Sequence, residues 1–399
     1  METQSNDARK PKMQHSAPAR NWVGDNRKII EPLFADYFLS LHPMRCFQGR
    51  LFTVDGMVED EAPLKKEIYE QIRYYATTSV ARRIEHIMQA IKLACASEPP
   101  EIQTDRIHVR NGTYFVDGHF TPEKEYCMNR LPISYVPEAP APTRWLQFLN
   151  ELLYEEDIPA LQEYIGYCLL PVTKVQKMLL MVGKGGEGKS RIGLILRELF
   201  GSSMYTGSLQ KVETNRFARA DLEYKLLLVD DDMKTEALPQ TNNIKTLVTL
   251  EDKIDIERKG QQSVQGTLYV RFACFGNGSL HALYDKSNGF YRRQLLLTTK
   301  EKPVGRVDDP FLIDKMRNEK EDILLWALEG LHRLIRNNYR FTISERIAAN
   351  LKEAMEQGNN ILGFLKSEGY FEIRQGAKCK STDFYKVYER WCLDNLEKP

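Results

Sequence analysis

One eight-residue stretch leaves this chain few folds to choose from. Gly183-Lys184-Gly185-Gly186-Glu187-Gly188-Lys189-Ser190 fits the pattern GxxxxGK[ST]. It directly follows an apolar run, Met178 to Val182, and directly precedes an amphipathic stretch from about Ser190 to Phe200. Strand, glycine loop and helix in that order form the framework of a phosphate-binding loop. Glycines let backbone N–H groups turn inward onto phosphate oxygens, and the helix N-terminus adds its positive dipole end. On this reading Lys189 reaches the β- and γ-phosphates and the Ser190 hydroxyl ligates Mg²⁺. The bland alternative is a glycine-rich turn without a ligand, and the flanking strand and helix argue against it.

Three further signals sit downstream. Lys225-Leu-Leu-Leu-Val229-Asp230-Asp231-Asp232 is an apolar strand ending in acids, 41 residues beyond Lys189 at Asp230. One carboxylate there suits a magnesium shell and the next an attacking water; Asp230 is expected at the metal and Asp231 at the water. Phe272-Ala-Cys-Phe-Gly-Asn277 is a strand with an amide at its tip, able to bond a γ-phosphate or simply to cap a turn. Arg292-Arg293 precedes the apolar run QLLL. Adjacent arginines at a strand start are usually a solvated edge, but in a ring ATPase such a place supplies an arginine finger to the neighbouring subunit.

The rest of the second half repeats one theme. VQKMLLMV, the helix near 190–200, YKLLLVD, TLYVRFACFG and RRQLLLTT alternate strand with helix, and a helix from Asp322 to Ile335 follows. Such alternation predicts an α/β domain with a largely parallel sheet. Upstream, apolar spacing predicts helices from about Ile29 to Leu41, Leu64 to Tyr75 and Ser79 to Ala96. RCFQGRLFTVDG predicts a hairpin about Gly49, and IHVRNGTYFVDGHF a hairpin turning at Asn111-Gly112. Four prolines between Pro132 and Pro142 exclude a helix or central strand and predict a linker, with helices over Trp145 to Leu153 and Ala160 to Leu170 beyond it. The first two dozen residues are polar and lack a signal-peptide core. At the other end, Phe384, Val387, Tyr388 and Trp391 share a helical face.

Composition narrows the function classes. No run approaches the ~18 apolar residues of a membrane span. Seven scattered cysteines with no CxxC pair exclude a disulfide framework or zinc ribbon and suit a reducing cytoplasm. With 56 basic and 55 acidic residues the net charge is +1, so contact with nucleic acid must be local.

The order and spacing from Gly183 to Arg293 resemble the superfamily III helicases, an AAA+ branch found in small viruses, phages and plasmids. The likeness is greatest to the satellite-phage and poxvirus type of primase–helicase. NRLPISYVPEAPAPTRWLQFLNELL, LQEYIGYCLL and ILLWALEGLHRLI resemble that family's flanks, so the resemblance covers about residues 27–395. It implies an AAA+ P-loop core at 141–338, an N-terminal α+β helicase-associated module at 27–140 after a basic tail at 1–26, and a short helical, partly winged-helix-like segment at 339–399. It also implies a hexameric ring with ATP and Mg²⁺ between subunits. The loop Gly183, Lys184, Gly185, Gly186, Glu187, Gly188, Lys189 and Ser190, with Asp230, Asp231 and Asn277, would lie on one side, and Arg293 with Arg292 would come from the next subunit. Family members carry a pore hairpin that grips DNA; IDIERKGQQS matches it, with Arg258 and Lys259 at the tip before Gly260. Without the family these would read as a solvated turn.

The implied activity is ATP-driven translocation on single-stranded DNA and unwinding of forked DNA in replication of a phage, plasmid or other mobile element. Two departures stand out. Gly278-Ser279-Leu280 replaces the family's acidic residue and proline after Asn277. The upstream part has neither clustered carboxylates nor zinc-ligand spacing, so any primase is expected to be a separate partner. Two rival readings are a regulatory or assembly AAA+ ATPase that remodels protein, and an origin-binding ATPase that does not unwind.

Overall fold

The computed structural model describes residues 21–24, 27–76, 78–233, 241–249, 253–277, 288–358 and 360–395. The tail up to residue 20, the Gly278-Ser279-Leu280 departure and the approach to Arg292 at 285–287 lie outside them. The chain divides into two compact units. The first comprises the residues up to Pro100 together with Tyr126–Met128; the second comprises Glu101–Glu125 and everything from Asn129 onward.

In the first unit, α1 (Glu31–Leu41) is followed by a three-stranded meander, β1 (Arg45–Phe47), β2 (Arg50–Thr53) and β3 (Gly56–Met57), then α2 (Ala62–Ile72) and α3 (Val80–Ala94). Trp22, Phe34, Phe38, Ile68, Ile72, Ile87 and Ile91 close one core. The expected hairpin at Gly49 is present, and both Gln48 and Gly49 adopt positive φ, as a tight two-residue turn requires.

The second unit opens with β4 (Arg106–Val109), β5 (Gly112–Phe115) and β6 (Phe120–Thr121). Here the register differs from expectation. Val109 pairs with Gly112, so Arg110 and Asn111 make the turn and neither has positive φ. Gly112 is a strand residue, and the position needs glycine because a Cβ there would come within 2.8 Å of Pro122 Cα. Asn111 instead bridges to the backbone of Tyr135, donating to its carbonyl and accepting from its N–H at 2.8 Å each. This hairpin shares the larger unit's core through Ile107, Val109 and Tyr114, so the division of the chain falls near residue 100 rather than at the proline-rich segment.

Beyond that segment come α4 (Thr143–Leu152) and α5 (Ile158–Cys168), then β7 (Met178–Gly183), α6 (Lys189–Phe200), β8 (Met204–Thr206), α7 (Leu209–Thr214) and β9 (Leu227–Met233). They are followed by α8 (Asn242–Val248), the pair β10 (Ile254–Ile256) and β11 (Val264–Gly266), β12 (Arg271–Asn277), α9 (Asn288–Tyr291) and β13 (Gln294–Thr298). Five strands form one sheet in the order β13-β7-β12-β9-β8, every pairing parallel. Sheets of this kind are covered on both faces, which is why their strands read as unbroken apolar runs. Alternate residues serve two cores. Leu179, Met181, Val229, Ala273, Phe275, Leu295 and Leu297 face one; Met178, Leu180, Val182, Leu228, Phe272, Cys274 and Leu296 face the other. The short strand β8 is the one sheet element its sequence does not announce.

Helices α10 (Leu312–Arg317) and α11 (Lys320–Arg336) follow, and α11 packs on α5. Gly166 and Gly330 permit the close approach: a Cβ on Gly166 would come within 2.6 Å of Leu331 N. The Tyr164 hydroxyl donates to the Phe272 carbonyl at 2.7 Å and ties α5 to β12. Helix α12 (Glu345–Gly358) also belongs to the sheet domain: Ala354 enters the second core and Asn350 donates to Thr298 Oγ1 at 3.2 Å. Helices α13 (Asn360–Lys366) and α14 (Ser381–Asp394) form a cluster apart, where Phe384, Val387, Tyr388 and Trp391 share a face as expected. No strand occurs among the described residues beyond 298. None of the seven cysteines is in a disulfide, and among the described residues no helix is long and apolar enough to cross a membrane.

Candidate functional site

Strand order locates the site before any side chain is considered. From β7 the chain leaves through α6 toward β8 at one edge of the sheet, whereas from β12 it leaves through α9 toward β13 on the other side of β7. Between the neighbouring carboxyl ends of β7 and β12 the connections therefore diverge. That is the topological switch point, the crevice where open parallel sheets bind ligands. Gly183 and Asn277 are register partners there.

The glycine loop spans the step from β7 into α6. Gly185, Gly186 and Gly188 hold φ of +108°, +80° and +116°, backbone that other residues rarely adopt. Lys189 opens α6 and is 6% exposed; Glu187 is 3% exposed. The Glu187 carboxylate accepts the Gly185 N–H at 2.7 Å on one oxygen and the Lys189 ammonium at 2.8 Å on the other. It lies against Gly183, where a Cβ would come within 2.8 Å of its Oε1. Burial pushes this carboxyl up, but Lys189 and the loop amides outweigh burial, and its net shift is downward. Lys184 points outward to an exposed ion pair with Glu301.

The acidic end of β9 divides in an unexpected way. Asp230, expected at the metal, is 6% exposed and accepts the N–H of Leu209 at 2.7 Å, capping the start of α7. Burial raises its pKa, opposed by that bond. Asp231 lies on the opposite face, near α6 and exposed at the strand end; desolvation raises its pKa, with the nearby Ser190 hydroxyl opposing. One β12 residue, Phe275, stands opposite both Asp231 and Asp232, because Cys274 pairs with Asp230 and Gly276 with Met233. This bulge re-aims the strand end, as bulges beside active sites do. Asp232 is exposed.

Asn277, at the tip of β12, stands across from the loop: its Oδ1 would lie 3.8 Å from a Cβ on Gly185. The arginines do not join this cluster. Arg292 and Arg293 stand at the amino end of β13, where the Arg293 carbonyl accepts the Met178 N–H at 2.8 Å. That is the opposite end of β7 from the loop, roughly 17 Å along the strand. Arg293 also donates to the Gly289 carbonyl, and burial followed by Arg292 lowers its pKa. The hairpin β10–β11 exists, with Gly260 at φ +75°. Its two basic residues differ: Arg258 is ion-paired to Glu223, which is 7% exposed, while Lys259 is exposed at the tip.

Two neighbours of the loop escape sequence reading. Arg306, in the segment after β13, donates through Nη1 to the Glu187 carbonyl at 3.1 Å and is anchored by Asp308 at 2.9 Å. Thr299 places its Oγ1 beside Gly183, buried and without a hydrogen-bond partner among the described residues. Neither belongs to a pattern that spacing could betray.

These residues fit a nucleotide phosphate and magnesium. The loop already holds an anionic group on a backbone N–H and an ammonium, and Ser190 and Asp231 meet at its mouth. Among the described residues no group of three or more His, Cys, Asp or Glu could hold a metal alone. A magnesium ion would therefore lean on phosphate oxygens, its usual habit.

Similarity to known proteins covers the same segment. Residues 181–293, which contain the whole loop, the acidic strand end, the β10–β11 hairpin, Asn277 and both arginines, match a family of unknown function (DUF5906). Residues 33–153 match the family described as D5 N terminal like. No curated protein matches the chain. Among solved structures, an A-form apo structure of the NrS-1 C-terminal region is similar over 90% of this chain and 86% of that one, at 12% identity and a TM-score of 0.52. A second apo structure of that region covers 82% and 76%, at 14% identity and a TM-score of 0.50. The fold is thus one that the NrS-1 C-terminal region shares: a mixed α/β domain built on a parallel five-stranded sheet.

Proposed function

We propose that the chain is a magnesium-dependent ATPase of the AAA+ P-loop class that moves along single-stranded DNA and unwinds forks in the replication of a phage or related mobile element. The observation that carries the reading is the meeting of Lys189, Ser190, Asp231 and Asn277 at the switch point of an all-parallel sheet. The loop amides and Lys189 hold the phosphates, and Ser190 with Asp231 holds the metal shell. Magnesium, when bound, neutralises charge on the phosphate oxygens. Asp232, presented by the bulge, orients the attacking water in the role first expected of Asp231, and Asn277 bonds the terminal phosphate or that water. Arg293, with Arg292, stands too far from its own loop and serves a neighbour's in a ring, most simply a hexamer. The replication setting rests on the resemblance of the flanks to the phage and poxvirus primase–helicases. The D5 N terminal like match over 33–153 supports it, lying largely within the module that this resemblance implies.

A second reading is an ATPase that remodels protein. The tie between Arg258 and Glu223 favours it, because of the two basic residues at the hairpin tip it leaves Lys259 to meet DNA. Both readings are tested together by measuring ATP hydrolysis with and without single-stranded DNA, and strand displacement on forked DNA, for wild type and Lys189→Ala. Wild type should hydrolyse ATP and unwind, and Lys189→Ala should do neither. Hydrolysis indifferent to DNA, without unwinding, selects the second reading, and near wild-type hydrolysis by Lys189→Ala refutes the site.

A further inference from the structure

The phosphate loop holds an anion of its own. Glu187 belongs to the loop, and glutamates are almost never fully buried unless paired. Its carboxylate takes one loop N–H and the Lys189 ammonium, the two kinds of donor a phosphate oxygen would use. With Thr299 Oγ1 it fills the space that the missing side chain of Gly183 leaves open. Its backbone is fixed from behind: Arg306 holds the Glu187 carbonyl, and Asp308 holds Arg306. The side chain is thus aimed inward by a braced main chain. The loop beside it is uncrowded, since apart from its chain neighbours nothing lies within 4 Å of where a Cβ on Gly186 would stand.

A carboxylate and a polyphosphate cannot share this space, because like charges at such separations repel strongly. We propose that Glu187 is an internal competitor for the phosphate seat: the nucleotide must displace its carboxylate from Lys189 and Gly185, and the return of that carboxylate sets how loosely nucleoside diphosphate is held. The proposal rests on the nucleotide-site reading above and names a residue that tunes affinity within it. A ligand that binds only the open form has its apparent affinity reduced by the fraction of molecules that are open. A charge-assisted pair holding the closed form makes that fraction small.

The test is calorimetric titration of ADP with Mg²⁺ into the full chain as wild type, Glu187→Gln, Glu187→Ala and Glu301→Gln, each checked for folding by circular dichroism. Glutamine keeps the shape and an acceptor for the Gly185 N–H but lacks the charge that draws Lys189. Both Glu187 variants should bind ADP roughly tenfold more tightly than wild type. Glu301→Gln removes the same charge from the outer, exposed ion pair with Lys184 and should change affinity by less than about twofold. Equal or weaker binding by the Glu187 variants overturns the proposal, as does an equal gain in Glu301→Gln, which would reduce the effect to net charge. If folded wild type and variants all fail to bind ADP and ATP, the nucleotide-site reading itself falls and this inference falls with it.

Discussion

Because successive side chains on a strand point to opposite faces, Asp230 and Asp231 meet different surroundings although they are adjacent. Asp230 turns toward α7 and accepts the Leu209 N–H; Asp231 turns toward α6, where burial raises its pKa and the Ser190 hydroxyl and Lys189 oppose. Their substitutions should therefore fail in different ways. Asp230→Ala leaves a buried N–H at a helix start without an acceptor, so it should cost about 1–2 kcal/mol of stability while the folded fraction still hydrolyses ATP. Asp231→Asn should leave the melting temperature close to wild type and abolish hydrolysis. Urea denaturation and turnover per folded molecule separate the two; loss of turnover in Asp230→Ala at full stability would return the metal role to Asp230. An acidic triplet after an apolar strand is legible in sequence as a candidate site. Which acid faces the loop is not, because that depends on the phase of the strand and on the bulge opposite Phe275, which only the pairing with β12 creates.

The hairpin β10–β11 shows the same division between pattern and partner. Basic residues beside a glycine mark a tip, but what captures Arg258 is Glu223, 35 residues earlier in the chain. No spacing rule suggests a contact at that separation. Arg258→Ala would leave Glu223 buried without its cation, so it should destabilise the protein by roughly 1–3 kcal/mol and disturb the hairpin as a whole. Lys259→Ala removes an exposed charge and should cost little stability. If the hairpin grips DNA, Lys259→Ala should weaken single-strand binding and lower the salt slope by roughly 0.7 for each phosphate it no longer neutralises, with basal hydrolysis kept. Fluorescence anisotropy across a salt series reads both quantities, and an unchanged affinity and slope would leave the tip a solvated turn. The longer sheet strands are readable because burial on both faces makes them unbroken apolar runs, whereas β8 is only Met204–Thr206 and offers no period to read. The Asn111-Gly112 pair misleads for a related reason: Gly112 answers to the crowding at Pro122, a contact across strands, and not to the turn.

The loop and the arginines lie at opposite ends of the sheet, and this decides how they can cooperate in an assembly. β7 carries Gly183 at its carboxyl end, while Arg293 is held beside Met178 at its amino end. Roughly 17 Å of strand separates them, more than an arginine side chain reaches, so Arg293 cannot touch phosphate on its own loop. In a ring of like-oriented subunits, however, one subunit can present this end to the nucleotide of the next, which is the heterologous contact that closes a cycle. A guanidinium delivered in this way stabilises charge on the transferred phosphate, an effect worth about 10³–10⁵ in rate where it operates. Arg293→Ala should therefore slow hydrolysis by orders of magnitude while binding ADP as wild type does. Lys189→Ala subunits are equally inactive but keep the arginine. Mixed and allowed to exchange, the two inactive variants should regain activity, because some interfaces then join an intact loop to an intact Arg293. Exchange is followed by energy transfer between labelled subunits. Exchange without recovered hydrolysis would show that Arg293 does not act on a neighbour, and would leave the arginine pair as an edge of the sheet.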